Sequence, residues 1–450
     1  MESEIEVHID VARQPILVGR LWTRSKQGRE TATFMYDPGW VKRRGAMALT
    51  PALPLTAGAF HSDRGLFTVF TDAAPDRWGQ KLMRHHERAR AAAAGAEPRK
   101  LYDVDFLVGV DDETRLGALR FKTAGGGSFL SQTGRPVPPL IDLRKLLSAT
   151  DRIEKGKERK GDIALMLAPG GSLGGVRPKA VVRDKERRLH LAKFPWKNDD
   201  WSVILWEKVT LDLALTAGVD VPRFRLERVG TKSVLLIERF DRRDVDMRVP
   251  FMSAMTALGV RDREEDHSYL EIVDALRQMG SAPAPDIRQL WRRIVFNILV
   301  SNTDDHLRNH GFLWEPGGWR LAPAYDMNPS PMDVGGRVHV LAINEQDRSG
   351  SLDLALSVAG YYGLQQQDAR LIAGEVAAAA ARWRETALAQ KIPKFEIERL
   401  ASAFAHRDLE QALANRQPTR QGAKIKVPGK TPRASRNPKT TRRRTRALQG

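Results

Sequence analysis

The chain reads as an α+β protein: a small α/β module, then a β-rich lobe, then a helical lobe. Three observations predict this. Apolar and polar residues alternate from the first residues onward, as in "MESEIEVHID". Between 168 and 242, two pairs of short apolar runs flank one helical stretch. Beyond 287 the apolar residues recur at helical spacing almost to residue 414. A period of two marks half-buried strands and a period near 3.6 marks helices, so the change of period locates the change of architecture. With 450 residues there is room for more than one core. We expect a module over 1–125, a β-rich lobe over 140–245, an all-α lobe over 246–415 and a tail over 416–450.

In the first module Ile5, Val7, Ile9 and Val11 alternate with polar residues and predict a strand, and "TATFMY" (31–36) and "GLFTVF" (65–70) predict two more. "PDRWGQKLMRHHERARAAAA" (75–94) opens with Pro75 and Asp76 and continues in strong helix formers, an entry signature for a helix. The Gly-, Ser- and Pro-rich "TAGGGSFLSQTGRPVPP" (123–139) predicts a boundary. In the second lobe "KAVVR" and "RLHLAKF" flank "DKER" as a hairpin. "WSVILWEKVTLDLALTAGVDVP" (201–222) reads as a helix stopped near Gly218 and Pro222, and 223–242 as two strands around Gly230. In the third, "IRQLWRRIVFNILV" (287–300) sets Leu290, Ile294 and Ile298 on one stripe beside Trp291, Val295 and Leu299.

Composition narrows the function classes. No cysteine is present, which excludes a disulfide framework, a thiol nucleophile and thiolate zinc sites. The acidic, alternating start is not a secretory signal, and no apolar run suits a bilayer span, so a cytoplasmic protein is expected. The net charge of +18 is concentrated: twelve Lys and Arg with no acid fall in 416–450, leaving +6 on the rest. That tail has little to bury and repels itself, so disorder is expected of it. Nonspecific contact with nucleic-acid phosphates is a role it can fill; a solvated tail without duty is the plainer reading.

The chemistry concentrates in "NTDDHLRNHGFLW" (302–314) and "RLAPAYDMNPSP" (320–331). Asp304 precedes Asn309 by five residues, and Asp326 follows. A D-x-x-x-x-N loop followed by a further aspartate is what phosphoryl transfer needs. One carboxylate takes the proton of the attacking hydroxyl, while the amide and the later carboxylate hold Mg²⁺ against a triphosphate such as ATP. His306 is a second candidate catalytic residue, with a structural hydrogen bond as its other reading. Lys193, on the hairpin's second strand, suits the phosphates, and Glu207 on the next helix suits Lys193. "GGSLGG" (170–175), with Gly174 and Gly175, supplies backbone that approaches phosphate closely, and Lys179 stands on the adjoining strand. It is neither G-x-G-x-x-G nor a Walker loop, since Val176 stands where the Walker lysine would be. Taken singly these residues read as caps, surface charges and a connector. Their order along the chain favours a nucleotide site.

These motifs, "SLGGVRPKA", "LAKFP", "ERFDR", "NTDDHLRNHGFL" and "WRLAPAYDMNPSP", resemble the HipA family of bacterial serine/threonine kinases, toxins of HipA–HipB modules. "FTDAAPDRWGQ" is similar to that family's amino-terminal domain. The resemblance implies a bilobal protein-kinase-like fold. It places Asp304 as catalytic base, Asn309 and Asp326 on magnesium, and Lys193 on the ATP phosphates. It places Glu238 and Phe240 at a hinge that meets adenine through its backbone. Ser172 matches a serine whose autophosphorylation expels the phosphate loop; a phosphate brings about −1.5 to −2 charge to where ATP phosphates must sit. The implied substrate is an aminoacyl-tRNA synthetase, notably the glutamyl enzyme, and the implied partner is a HipB-like DNA-binding antitoxin that makes most of the operator contact. Asp305 stands where relatives often carry a small residue, so two carboxylates compete for the base role, and the spacing to Asn309 favours Asp304. The alternative is a catalytically weak scaffold that binds the antitoxin. A metal phosphoesterase built on "TDDH" needs more bridging ligands than His310 and His339 add.

Overall fold

Strand alternation survives intact at the amino terminus. The computed structural model describes residues 2–26, 28–130, 137–159, 161–167, 175–245, 247–261 and 266–414. The expected disorder of 416–450 concerns residues outside that set. Strands β1 (Glu2–Val11), β2 (Gln14–Lys26), β3 (Arg29–Tyr36), β4 (Ala59–Ser62) and β5 (Leu119–Thr123) form an antiparallel sheet ordered β4-β3-β2-β1-β5. Ile5, Val7 and Ile9 are buried on its core face, while Val11 emerges at the hairpin. The Ala12–Arg13 turn has φ of +50° and +68°, the paired left-handed conformation that suits a tight hairpin.

The strand expected at 65–70 is absent. Thr68–Asp72 is a short helix instead. Thr68, Val69 and Phe70 are buried in succession, where a half-buried strand would bury alternate residues. The β-branched and aromatic residues mislead here because tertiary packing surrounds the segment on all sides. The helix Arg77–Ala93 begins as expected, with the Asp76 side chain accepting a hydrogen bond from the Gly79 N–H.

In the second lobe β6 (Lys179–Arg183), β7 (Leu189–Lys193), β8 (Phe224–Val229) and β9 (Lys232–Glu238) form an antiparallel sheet ordered β6-β7-β9-β8. Lys179 lies directly opposite Lys193 in the β6–β7 register. The helix Val203–Thr216 packs on this sheet and stops before Gly218, whose φ of +72° is the left-handed conformation that closes a helix. The stretch expected as a boundary leads into helices Leu143–Glu154 and Asp162–Leu167, which cover the sheet's other face.

The third lobe is mainly helical but not all-α. The small hairpin β10 (Arg242–Arg243) and β11 (Met247–Arg248) leads into it. There β12 (Phe251–Ser253), β13 (Gly311–Glu315) and β14 (Gly318–Leu321) make a three-stranded sheet around the polar loop. The central helix runs Pro283–Leu299 and buries Leu290, Trp291, Ile294, Val295, Ile298 and Leu299, the two stripes expected. The carboxy-terminal pattern divides into helices Gln366–Ala380, Trp383–Ala389, Lys394–Arg399 and Arg407–Ala414.

The cores ignore the expected domain lines. One apolar cluster joins the amino-terminal sheet to the helical lobe. A second joins Trp78, Leu82 and Met83 to Ala180, Val182 and Phe194 of the β-rich lobe. The amino-terminal module therefore packs against both other lobes. Among the described residues no helix is long and apolar enough to cross a membrane.

Candidate active site

The central helix delivers the polar loop. After Leu299 the chain turns through Ser301, at φ +51°, and Asn302 ties the loop down: its side chain donates to Asn297 at 3.1 Å and accepts from the Asn328 N–H at 3.2 Å. The segments around Asp304 and Asp326 are thereby fastened together, although twenty-odd residues of hairpin separate them.

Within this loop the two adjacent carboxylates part company. Asp305 is buried and accepts from Tyr269 Oη at 2.6 Å, Asn297 Nδ2 at 2.7 Å and His310 Nε2 at 2.9 Å. Arg293, also buried, approaches His310 Nδ1 at 3.4 Å. Burial opposes the Asp305 charge, but His310 and the donors around it prevail and hold its carboxyl at about 2. Asp304 is instead exposed to solvent on one side, with protein crowding its other sides. That crowding, followed by the charges of Asp326 and Asp305, pushes its carboxyl above the ordinary value, while His306 pulls the other way. Asp305 is thus held by hydrogen bonds within the protein, while Asp304 has a side open to solvent.

From the β-rich lobe, Lys193 reaches across the cleft. It is buried, and its ammonium donates to Glu207 Oε1 at 2.5 Å and to Asp326 Oδ1 at 2.9 Å. Burial works against its charge, yet the Asp326 and Glu207 carboxylates outweigh it and raise the ammonium above the usual lysine value. Burial likewise opposes the Asp326 charge, and Lys193, then Lys179, hold that carboxyl below the usual range. Asp326 has a φ of +58°, a conformation that costs a residue with a Cβ about 1–3 kcal/mol and clusters at functional sites.

Asn309 donates from Nδ2 to the Asp304 carbonyl at 3.0 Å, while its buried Oδ1 has no hydrogen-bond partner among the described residues. A buried, unpartnered amide oxygen is the kind of hard ligand that a magnesium ion keeping several waters would accept. His306 is half-buried beside Asp304, and its Nδ1 is likewise unpartnered. Leu191, Lys193, Ile237, Glu238, Phe240, Tyr325 and Asp326 line a narrow, mostly apolar cleft. Phe240 stacks on Tyr325 with ring centroids 5.5 Å apart. The Glu238 N–H is taken by the Arg223 carbonyl at 2.8 Å, leaving its side chain at the rim.

Other expected residues fall differently. Ser172 and Gly174 lie outside the described residues. Gly175 is described, and its carbonyl accepts from Lys179 at 3.2 Å. Lys179 does not point freely into the cleft, because its ammonium donates to Asp76 of the amino-terminal module at 2.6 Å. The sequence reading missed Asp72, Asp76 and Arg77, which lie beside these groups, and Arg177, whose charge acts on Glu207 and Asp326. The only signal for the first three was their inclusion in "FTDAAPDRWGQ".

Comparison with known proteins places both halves of the chain. A HipA N-terminal domain matches residues 9–121, and a HipA-like C-terminal domain matches residues 171–383. A serine/threonine-protein kinase toxin HipA from Shewanella oneidensis is 24% identical over 333 residues, covering 66% of this chain and 70% of that one. The solved complex of Shewanella oneidensis HipA with HipB and its operator DNA has a chain that superposes with a TM-score of 0.63. That match is 18% identical and covers 91% of this chain and 96% of that chain. It fixes the fold as α+β and kinase-like.

Proposed function

The chain belongs to the HipA family, and from that premise we propose that it is an ATP-dependent serine/threonine protein kinase. The observation that carries this reading is Lys193, one buried ammonium held between Glu207 of the β-rich lobe and Asp326 of the helical lobe. Two lobes that close on a single cation are suited to hold a polyphosphate between them.

The reaction follows from the groups present. A substrate serine or threonine oxygen attacks the γ-phosphorus, and a new O–P bond forms as the bond to the β,γ-bridging oxygen breaks. ADP leaves with that electron pair. Asp304 accepts the hydroxyl proton, and its raised proton affinity suits that task. Lys193 neutralises phosphate charge, and Glu207 keeps it aimed. Leu191, Ile237 and the Phe240–Tyr325 stack offer an apolar slot for a purine ring. Asn309 Oδ1 and Asp326 would hold magnesium, which supplies neutralisation of the triphosphate when bound. Little covalent chemistry is asked of the protein beyond positioning and charge.

The finer reading comes from the family. The protein acts as the toxin of a toxin–antitoxin module, in the cytoplasm, with a HipB-like antitoxin that carries it to operator DNA. Its substrate is an aminoacyl-tRNA synthetase such as the glutamyl enzyme, and it regulates itself by autophosphorylation at Ser172. Support for the partner is the likeness to a HipA chain solved with HipB and DNA.

Incubation of the purified chain with γ-labelled ATP and magnesium, followed by mass spectrometry, tests the reading. Phosphate should appear on Ser172 and disappear in Ser172→Ala. A wild-type chain that incorporates and transfers no phosphate overturns the proposal.

A further inference from the structure

The segment Asp72–Arg77 of the amino-terminal module is not used by the chemistry above, yet it reaches both sides of the cleft. The Asp72 carboxylate is buried and accepts from the Ser253 N–H at 2.8 Å and the Ser253 hydroxyl at 2.8 Å. It also stands 3.8 Å from the Arg308 guanidinium. Both contacts lead into the polar loop. Ser253 pairs with Gly311, and the next residue, Ala254, donates its N–H to the His310 carbonyl at 2.8 Å. Arg308 is part of the loop, and its carbonyl accepts from Tyr325 Oη at 2.7 Å, the residue before Asp326. One carboxylate from a different module thus grips the loop that carries Asp304 and Asn309 from two directions.

Four residues on, Asp76 does the corresponding work on the other side. Its Oδ1 caps the helix Arg77–Ala93 at Gly79 N–H, 2.9 Å away, and its Oδ2 accepts from Lys179 at 2.6 Å. Lys179 in turn donates to the Gly175 carbonyl at 3.2 Å and lies opposite Lys193 on β7. The link between the two aspartates is held rigid. Arg115, fully buried, donates to the carbonyls of Ala73 at 2.8 Å, Leu107 at 2.9 Å and Val110 at 2.9 Å. Burying carboxylates is costly unless their hydrogen bonds do something that apolar residues cannot. Here they fix two catalytic segments relative to one rigid point.

We propose that the amino-terminal module is a working wall of the phosphoryl-transfer centre, with Asp72 positioning the Asp304–Asn309 loop and Asp76 positioning the Gly175–Lys179 phosphate side. This rests on the kinase reading and adds a division of labour to it. Misplacement of reacting groups by about 1 Å costs up to about 10²-fold in rate. Asp72→Asn should therefore lower kcat by about 10- to 100-fold and leave KM for ATP within about threefold. Asp76→Asn should raise KM for ATP about tenfold and change kcat less. A merely structural pair would shift both constants together in both variants, and that result overturns the proposal.

Hydrogen exchange on the full chain without nucleotide supplies the second readout. Asp72→Asn should speed exchange in 302–311 and spare 175–193, and Asp76→Asn should do the reverse. Unchanged exchange in both segments overturns the proposal. Should Asp72→Asn fail to fold, Ser253→Ala removes the hydroxyl half of the same grip while the backbone N–H bond stays, and it should speed exchange in 302–311 by a smaller factor and spare 175–193. A wild-type chain that transfers no phosphate defeats the kinase reading, and the exchange pattern then decides the positioning claim alone.

Discussion

Asp304 and Asp305 are neighbours in the chain and opposites in their surroundings. Asp305 is buried, and its Oδ2 accepts from Tyr269, Asn297 and His310. Asp304 is exposed on one side, with its carboxyl pushed upward by crowding and by neighbouring carboxylates. The two lysines that face each other across β6 and β7 repeat the contrast. Lys179 is tied to Asp76 of the amino-terminal module and to the Gly175 carbonyl, while Lys193 is shared between the two lobes. In both pairs the residue type is the same and the partners decide the role.

The largest effect that sharpens this comparison is on folding. Asp305→Ala leaves buried donors without their acceptor, and breaking such a buried charged network costs about 3–5 kcal/mol. Urea unfolding should show the drop, and a loss below 1 kcal/mol would mean that the network is not the loop's anchor. Next comes the lysine pair. Lys193→Met should lower phosphoryl transfer about 10²- to 10³-fold, as for loss of one electrostatic donor at a reacting centre. Lys179→Met should cost about tenfold or less, because it acts through Asp76. Equal losses in steady-state assays would erase the distinction drawn between them.

Stability against pH gives a third, smaller test. The folded-state value of about 2 for Asp305 lies below the ordinary carboxylate value of about 4. A depressed carboxyl stabilises the fold above its unfolded-state value and loses that contribution as pH falls through the folded value. The stability gap between wild type and Asp305→Asn should therefore hold about 3 kcal/mol of pH-dependent free energy that vanishes between about pH 4 and pH 2. A gap that stays constant across that window contradicts the assignment. The smallest effect belongs to Tyr325→Phe, which removes one hydrogen bond to Arg308 and should cost about 1 kcal/mol in thermal or urea unfolding.

Much of the fold was legible because its signals are local. Ile5, Val7 and Ile9 announced β1 by alternation, and the "DKER" turn announced the β6–β7 hairpin. Leu290, Ile294 and Ile298 announced the central helix. The errors are where neighbours far along the chain decide. Thr68–Asp72 coils because it is enclosed by other modules, and β12, β13 and β14 are too short to declare a period. The same holds for the site. Lys193, Glu207, Asn309 and Asp326 were readable as chemical types at useful intervals. That Asp305 is satisfied by Tyr269, thirty-six residues away, was not readable, and neither was the reach of Asp72 to Ser253.

The most direct test of the central claim measures γ-phosphate transfer and nucleotide affinity on the same Asp304→Asn preparation. Loss of a general base lowers transfer by about 10²- to 10⁴-fold, and the account predicts that loss with ATP affinity held within about threefold of wild type. Transfer at the wild-type rate in Asp304→Asn would contradict it.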